Sequence, residues 1–477
     1  MHNPLILSAN HQVDVSATNR NLHTLVVSPS GGGKTVSFLE PNVLHIGRDS
    51  YVIRVSKRAF VEKYKPYCLD NGYQVYDLNL AHPEQVNAHS VSYDPLSTAL
   101  DEDMIHRLSE QIVNLDDSRG SNADPYWAGA STELMDALTY VTLAEKRDAT
   151  LADVLDCFDE LTIADSTTDS GIEISLNERF QRLELKDPNH EAVRAWRSFA
   201  TLPYRTAGCV YSSLGSVLQI FTKSFREAIR KLSPFRVEDF CKQKSVLFVT
   251  ANPTDVSRFK ISNLFFEDLI HNLIEEAEIN GGTLPHKTRL IIDDFGVGGV
   301  IEAVPAALSF VRETGISMNL MCQSLSQLNT MYGNAKATTI KNNCDNTVYI
   351  GAPNDLDTAN EMALRINRPL TDMLTLREEQ TLVCQRGKPP EIVERYRTLE
   401  DPLYMKVTLN HVKSPAYRAH TGRRVRKDFS PKRSKREALE DLTKEMSALT
   451  AKFDQRYLQL MGESLDGSKK KKTAKTD

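Results

Sequence analysis

A glycine-rich turn that ends in Gly-Lys-Thr constrains this chain more than any other feature of its sequence. Apolar residues at 25–27 lead into Ser-Pro-Ser-Gly-Gly-Gly-Lys-Thr at 28–35, and the residues after this turn can continue as a helix. This order of strand, turn and helix is typical of a phosphate-binding loop, because glycines let backbone N–H groups close around a polyphosphate. Lys34 is predicted to reach the β- and γ-phosphates, and Thr35 to ligate magnesium. The predicted nucleotide ligands are Ser30, Gly31, Gly32, Gly33, Lys34 and Thr35.

The composition is that of a globular protein with room for two or three domains. Of the 477 residues, 40% are hydrophobic and 25% are charged, and the formal net charge is -5, so the whole chain is not a general polyanion binder. The 7 cysteines are scattered without a C-x-x-C pair, which disfavours a zinc site or a disulfide framework and favours a reducing cytoplasm. The first residues do not form a signal peptide, and no apolar run of about 18 residues predicts a transmembrane helix.

The pattern of strands and helices changes twice along the chain. Strands alternate with helices over 1–100, which predicts the first part of an α/β domain with a parallel, three-layer sheet. Helical periodicity dominates 101–235 and predicts an inserted all-α domain with an exposed acidic loop at 159–171; helices packed directly on the sheet are the alternative. The α/β pattern resumes over 236–405, and a basic tail follows at 406–477.

Local sequence signals give the bounds of the expected elements. Strands are predicted at 25–27, 50–55, 73–78, 245–250, 289–294, 316–321, 346–350 and 380–385. Helices are predicted at 34–47, 58–71, 102–115, 127–146, 150–162, 173–184, 188–201, 206–222, 258–278, 302–313 and, in the tail, 434–462.

An apolar run that ends in two acidic residues, Leu-Ile-Ile-Asp-Asp at 290–294, has the form of a Walker B strand. Asp293 is predicted to hold magnesium together with Thr35, and Asp294 to orient or deprotonate the attacking water. A strand that ends in two acids is also common for structural reasons alone. The pairing with the glycine-rich turn favours the catalytic interpretation.

Two further polar residues are candidates for catalysis. Gln323 follows the next predicted strand and is placed to sense the γ-phosphate, with a surface glutamine as an equal alternative. Arg312 follows the predicted helix after the acidic pair and is a candidate arginine finger for the nucleotide of a neighbouring subunit. A solvated arginine at a helix end is the alternative for Arg312.

Lysines and arginines are concentrated in the tail, at 413–436 and again at 469–472. Such segments bind nucleic acid or an anionic membrane surface through charge. Aromatic residues are sparse here, so stacking on bases is not indicated. A solvated tail without a partner is the alternative.

Several motifs, taken in order, resemble those of the TraG/TraD-type coupling proteins of type IV secretion, which are conjugative DNA-transfer ATPases. The resemblance covers most of residues 21–400, and the combination of motifs is specific whereas each motif alone is not. The motifs are Asn-Leu-His-Thr-Leu-Val-Val at 21–27 before the glycine-rich turn, Phe-Leu-Glu-Pro-Asn-Val-Leu at 38–44, Gly72-Tyr73 with Leu78-Asn79-Leu80 and Tyr93-Asp94-Pro95-Leu96, Asp124-Pro125-Tyr126-Trp127, Ile-Ile-Asp-Asp-Phe-Gly-Val-Gly-Gly at 291–299, Arg-Glu-Thr-Gly-Ile at 312–316, Cys-Gln-Ser-Leu-Ser-Gln-Leu at 322–328 and Asn343-Cys344-Asp345-Asn346.

The resemblance implies a RecA-like P-loop NTPase fold with an all-α insertion, and it implies ATP and Mg²⁺ as cofactors. A homohexameric ring is expected, peripheral to the inner face of the bacterial plasma membrane. Such a ring is expected to recruit a relaxase bound to single-stranded DNA to the components of a secretion channel. ATP hydrolysis is expected to drive the transfer of DNA or protein.

Three departures from the family pattern bear on these expectations. Ser28 and Asp294 replace the usual glycine and glutamate, and of the block after the second strand only Lys57 is kept. The transmembrane helices typical of the family's N-terminus are missing from this sequence. Membrane association is therefore expected to need either a separate small anchor protein that docks near residues 1–20 or contact of the basic tail with anionic lipid.

Two other functions fit parts of the sequence. A DNA translocase of the FtsK type shares the RecA core, but a contiguous all-α insertion between the two nucleotide motifs favours the coupling family. A degenerate, non-hydrolysing adaptor that binds substrate proteins is favoured by Ser28 and Asp294. DNA-stimulated ATP turnover separates a motor from an adaptor.

Overall fold

A computed structural model describes residues 4–15, 21–98, 101–115, 124–165 and 172–413 of the chain. The chain divides into two compact units, Met1–Thr408 and Leu409–Asp477. The predicted helix at 434–462 and nearly all of the basic tail lie outside the described residues. Within the described ranges, every helix is too short or too polar to cross a membrane.

The described elements form thirteen strands and sixteen α-helices. The strands are β1 Pro4–Ile6, β2 Gln12–Asp14, β3 Thr24–Val27, β4 Ser50–Val55, β5 Gln74–Asn79, β6 Ile163–Asp165, β7 Ile172–Ile174, β8 Ser245–Thr250, β9 Thr288–Ile292, β10 Ile316–Cys322, β11 Asn346–Ile350, β12 Gln380–Gln385 and β13 Glu391–Glu394. The helices are α1 Glu40–Leu44, α2 Arg58–Asp70, α3 Glu102–Val113, α4 Pro125–Glu145, α5 Leu151–Asp159, α6 Asn177–Glu184, α7 Glu191–Ala200, α8 Tyr204–Leu218, α9 Lys223–Lys231, α10 Val237–Cys241, α11 Val256–Ile279, α12 Ala303–Phe310, α13 Leu325–Asn343, α14 Leu356–Ile366, α15 Leu370–Leu374 and α16 Pro402–Lys413.

A nine-stranded sheet with the order β13-β12-β11-β3-β10-β9-β4-β8-β5 organises the first unit. The strands from β11 to β5 in this order run parallel, as the alternation of strands and helices predicts. The strands β12 and β13 extend one edge in antiparallel fashion, so the prediction of a parallel sheet is wrong at that edge. The strand β13 and the small hairpin of β1 and β2 were not expected from the sequence.

The central strands are buried on both faces, which explains why their sequences are continuously apolar. Successive side chains point to opposite faces of a strand, and each face has its own hydrophobic core. Val26, Ile53 and Ile291 belong to one core, which also contains residues of α1, α2 and α16. Leu25 and Val52 belong to the other core. This gives the three-layer α/β arrangement expected of a RecA-like P-loop NTPase.

The helices between β5 and β8 confirm the predicted helical region, and α9 and α10 add to it. Their apolar residues share one hydrophobic core with the second face of the sheet. The domain limits at 101 and 235 therefore stay predictions, since no separate core marks them within the described ranges. Part of the predicted loop at 159–171 is a strand instead, because β6 pairs with β7.

The helix after the glycine-rich turn differs most from expectation. It begins as a π-helix at Thr35–Leu39 and continues as the short helix α1. Pro41 has no N–H to donate to the preceding turn, and a π-turn is one way to accommodate this interruption. His45 then leaves the helical conformation, so the predicted helix over 34–47 ends early.

Candidate nucleotide-binding site

The carboxyl ends of four neighbouring parallel strands meet at one edge of the sheet. Cys322, the last residue of β10, pairs in register with Val27, the last residue of β3. The carbonyl of Cys322 accepts a hydrogen bond of 3.2 Å from the amide of Ser28. The strands β9 and β4 continue the sheet beyond β10. This edge therefore holds the glycine-rich turn, the acidic pair and Gln323. A nucleotide site made of the turn and the acidic pair requires that they lie close together.

A pocket of about 580 Å³ lies at this edge. It is lined by most of the residues predicted for the site: Ser30, Gly31, Gly33, Lys34, Thr35, Asp293, Asp294 and Gln323. The other lining residues were given no role from the sequence: Pro29, Val36, Glu40, Val55, Ser56, Lys57, Ala59, Phe60 and Lys63. The structure thus brings together, in one pocket, residues that are far apart in the sequence.

The glycines of the turn are required by its geometry. Gly31 and Gly33 have φ of +78° and +98°, in the region that only glycine adopts readily. A Cβ atom on Gly32 would lie 2.4 Å from the hydroxyl oxygen of Ser28. Ser28 is itself buried beneath the turn. The serine that replaces the usual glycine is therefore accommodated by the glycine four residues later.

Lys34 lies at the start of the helix with its side chain folded over the turn. Its ammonium group donates a hydrogen bond of 2.9 Å to the carbonyl of Ser28, and the residue is buried. Lys34 and Asp293 line the same pocket. The turn and Lys34 together form a cradle of donors that fits a polyphosphate.

Asp293 is a buried carboxyl at the end of β9, and one of its oxygens accepts a 2.9 Å hydrogen bond from the amide of Asp294. Burial, followed by the adjacent charge of Asp294, raises the pKa of Asp293 to about 6. Asp294 has φ of +53°, an uncommon conformation that aspartate tolerates better than most residues. The acidic pair is thus a locally constrained turn at the pocket wall.

Arg54 holds this turn from below and was missed by the sequence analysis. Its guanidinium donates to the carbonyl of Asp293 at 3.1 Å and to that of Asp294 at 3.3 Å. A third bond of 2.7 Å goes to the side chain of Asn263, and the ring of Phe259 lies 4.6 Å away. Burial lowers the pKa of Arg54 to about 10. An arginine inside the apolar strand at 50–55 was the signal that could have identified it.

Arg312 lies at the opposite edge of the sheet. It is exposed before β10 begins, and it lines a separate pocket of about 400 Å³ together with Asp49 and Lys287. The length of β10 separates this edge from Gln323, roughly 20 Å at about 3.3 Å per residue. Arg312 therefore cannot reach the nucleotide pocket of its own chain, and its role toward a neighbouring subunit stays a prediction.

The donor set of the pocket fits magnesium in the manner of P-loop proteins. Among the residues that the structure describes, no group of three or more His, Cys, Asp or Glu side chains forms a complete protein metal site. Magnesium usually keeps several waters and needs only one or two protein ligands beside the phosphates. The hydroxyl of Thr35 and the carboxyl of Asp293, which line the same pocket, are the candidates for such ligands.

Comparison with known proteins places the chain among conjugative transfer proteins. The family described as type IV secretory system conjugative DNA transfer matches residues 7–367. The conjugal transfer protein TraG of Escherichia coli is 23% identical over 80% of this chain and 59% of its own length. The protein VirD4 of Rhizobium radiobacter is 22% identical over 70% of this chain and 46% of its own length. The chain thus spans less than two thirds of each relative.

A solved structure supports the fold. The plasmid coupling protein TrwB in complex with ADP and Mg²⁺ superimposes with a TM-score of 0.57 at 17% identity. The match covers 82% of this chain and 90% of that one. At this level of identity the likeness concerns the fold, and it agrees with the RecA-like arrangement of sheet and phosphate-binding loop.

Proposed function

This chain belongs to the type IV secretory system conjugative DNA transfer family, and on that premise we propose that it is an ATP-driven coupling protein. It recruits a relaxase bound to single-stranded DNA to the secretion channel and drives the transfer of that substrate. The observation that carries the proposal is the single pocket that collects Lys34, Thr35, Asp293, Asp294 and Gln323 at the carboxyl edge of the sheet.

The binding half of the site consists of the glycine-rich turn and two magnesium ligands. The backbone amides of Gly31, Gly32 and Gly33 and the ammonium of Lys34 bind the phosphates of ATP. Thr35 and Asp293 hold Mg²⁺, which neutralises charge on the phosphate oxygens when it is bound. The ADP and Mg²⁺ in the TrwB complex support both cofactors by similarity.

The catalytic half of the site consists of residues that act on the attacking water and the γ-phosphate. Asp294 orients or deprotonates the water, and Arg54 holds the backbone of Asp294 in place through its carbonyl. Gln323, whose backbone N–H donates to the side-chain oxygen of Gln327 at 3.2 Å, senses the γ-phosphate. Arg312 acts on the nucleotide of the next subunit, which requires a ring such as a homohexamer.

The partners and the location are proposed from the family rather than from the pocket. The ring works at the inner face of the plasma membrane against components of the secretion channel. The similarity to the conjugal transfer protein TraG and to the plasmid coupling protein TrwB supports a role in conjugative transfer.

The test is ATP turnover by the purified chain with and without single-stranded DNA, with Lys34→Ala as the inactive reference. A motor is expected to hydrolyse ATP faster when DNA is present, and Lys34→Ala is expected to stay at background. Nucleotide binding without turnover under every DNA condition would instead identify the non-hydrolysing adaptor. An FtsK-type translocase would move along duplex DNA without a relaxase, which a duplex translocation assay detects.

A further inference from the structure

An arginine that follows the outermost strand of the sheet lies against the phosphate-binding turn. Arg395 follows β13, and a Cβ atom on Gly33 would lie 2.9 Å from Nη1 of its guanidinium group. The central carbon of that guanidinium is 4.0 Å from the same position. The close approach is possible because residue 33 is glycine. A second cation besides Lys34 therefore sits directly beside the turn.

The backbone around Arg395 is held in place from two sides. Its amide donates to the carbonyl of Glu379 at 2.8 Å. Three residues later, the hydroxyl of the fully buried Thr398 donates to the carbonyl of Val36, in the first turn after Lys34. The position of Arg395 relative to the turn is therefore fixed by tertiary contacts, while its side chain remains partly exposed.

The side chain of Arg395 has no partner among the residues that the structure describes. Within the described part of the chain it forms no hydrogen bond or ion pair, although arginine usually pairs with carboxylates when they are available. Arg397, only two residues away, contacts Glu394 at 3.5 Å and Glu400 at 3.3 Å. An unpaired guanidinium beside a row of backbone amides is suited to a bidentate contact with a phosphate.

The order of the strands indicates which phosphates Arg395 can reach. The strands β11, β12 and β13 lie on one side of β3, whereas β10 and β9 lie on the other. Asp293 and Asp294 follow β9, so the γ-phosphate and the attacking water belong to that side. Arg395 approaches from the opposite side. It is therefore placed toward the α- and β-phosphates rather than the γ-phosphate.

We propose that Arg395 is a binding residue of the nucleotide site that contacts the α- and β-phosphates of a nucleoside diphosphate or triphosphate within its own subunit. The inference rests on the proposed function, because it needs the turn to bind a nucleotide. Since ADP and ATP share these phosphates, Arg395 stabilises both to the same extent. Its loss is expected to raise KM for ATP while leaving the chemical step to Asp294 and Arg312.

The experiment compares the affinities of the full chain for ADP and for a non-hydrolysable ATP analogue by titration calorimetry. Arg395→Ala is expected to raise both dissociation constants by about tenfold, the loss of one charge-assisted contact. Arg395→Lys is expected to recover part of this loss, because it keeps the charge without the bidentate geometry. Arg397→Ala is the matched control, with a thermal melt of each variant without nucleotide to show that the fold is kept.

The outcomes separate the two proposals. Unchanged affinity in a folded Arg395→Ala protein, beside clear loss in Lys34→Ala, overturns the role of Arg395 alone. A loss confined to the ATP analogue also overturns it, because that result indicates a γ-phosphate contact. An equal loss in Arg397→Ala reduces the effect to general surface charge and overturns it too. Failure of the unsubstituted chain to bind any nucleotide overturns the proposed function and this inference with it.

Discussion

The candidate functional residues at the two ends of the parallel strands are held in different ways. At the carboxyl edge, Lys34 and Asp293 are buried and are fixed by bonds to their own loops. At the amino edge, Arg312 is exposed in an open pocket. Lys34 and Asp293 thus share a pocket that a single chain forms. Arg312, in contrast, can act on a nucleotide only if a second copy of the chain brings one to it.

The largest effect is expected at the carboxyl edge. Lys34→Ala should weaken ADP binding roughly 100-fold, because the phosphates lose a charge-assisted partner, and ATP turnover should fall to background. Calorimetric titration with ADP measures the first effect. Lys287→Ala removes an exposed lysine from the amino-edge pocket and should bind ADP normally. Similar affinities for both variants would contradict the difference between the edges.

Arg312→Ala tests whether the amino edge works in trans. Turnover should fall roughly 1,000-fold, as for the loss of an arginine finger, while affinity for ADP is kept. Mixing this variant with Lys34→Ala should restore activity, because one subunit supplies the intact turn and the other supplies Arg312. Glu313→Gln changes a neighbouring charge in the same pocket and serves as the control. A chain that stays monomeric with nucleotide and DNA would rule out action in trans.

Asp294→Asn separates catalysis from binding within the carboxyl edge. Turnover should fall roughly 100-fold, the scale of a lost general base, whereas affinity for the magnesium complex of ADP is kept. Asparagine also tolerates the left-handed conformation observed at this position. Asp293→Asn should show the reverse pattern, with weaker magnesium-dependent binding. Turnover at the unsubstituted rate in Asp294→Asn would assign the water to another residue.

The smallest expected effect concerns a buried carboxyl away from both edges. Asp268 accepts a hydrogen bond from the hydroxyl of Tyr93, and burial raises its pKa to about 7. The folded protein thus binds a proton that the unfolded chain releases above pH 4. The contribution of Asp268 to the free energy of unfolding should therefore be largest at low pH. It should decrease as pH rises to about 7, with a slope of at most about 1.4 kcal/mol per pH unit.

Asp268→Asn keeps the acceptor for Tyr93 and removes the titrating group. Denaturant unfolding between pH 5 and pH 8 should therefore show a flatter dependence in the variant, with unchanged affinity for ADP. An identical pH dependence in both proteins would show that other buried carboxyls cause it. Asp293, with a pKa of about 6, is one such carboxyl.

Most of the strands and several helices could be predicted because their signals are local. The apolar runs at 50–55, 245–250 and 346–350 match β4, β8 and β11 to the residue. Helix α4 starts at Pro125 instead of the predicted 127, because Asp124 caps it by accepting the amide of Tyr126. Helix α13 was missed because its polar sequence lacks a clear apolar period. Helix α14 was missed too, although its apolar residues recur at helical spacing.

The sequence by itself determined the residues of the phosphate-binding turn and the acidic pair, since each motif is a short segment whose chemistry depends on its own spacing. Only the tertiary structure decided which other residues stand beside them. Arg54 lies in β4 and Arg395 directly follows β13, and the order of the sheet places them beneath the acidic pair and beside Gly33, respectively. The same order puts Arg312 at the distant edge. Strand order depends on packing between segments far apart in the chain, and the local periodicity of each segment does not specify its neighbours.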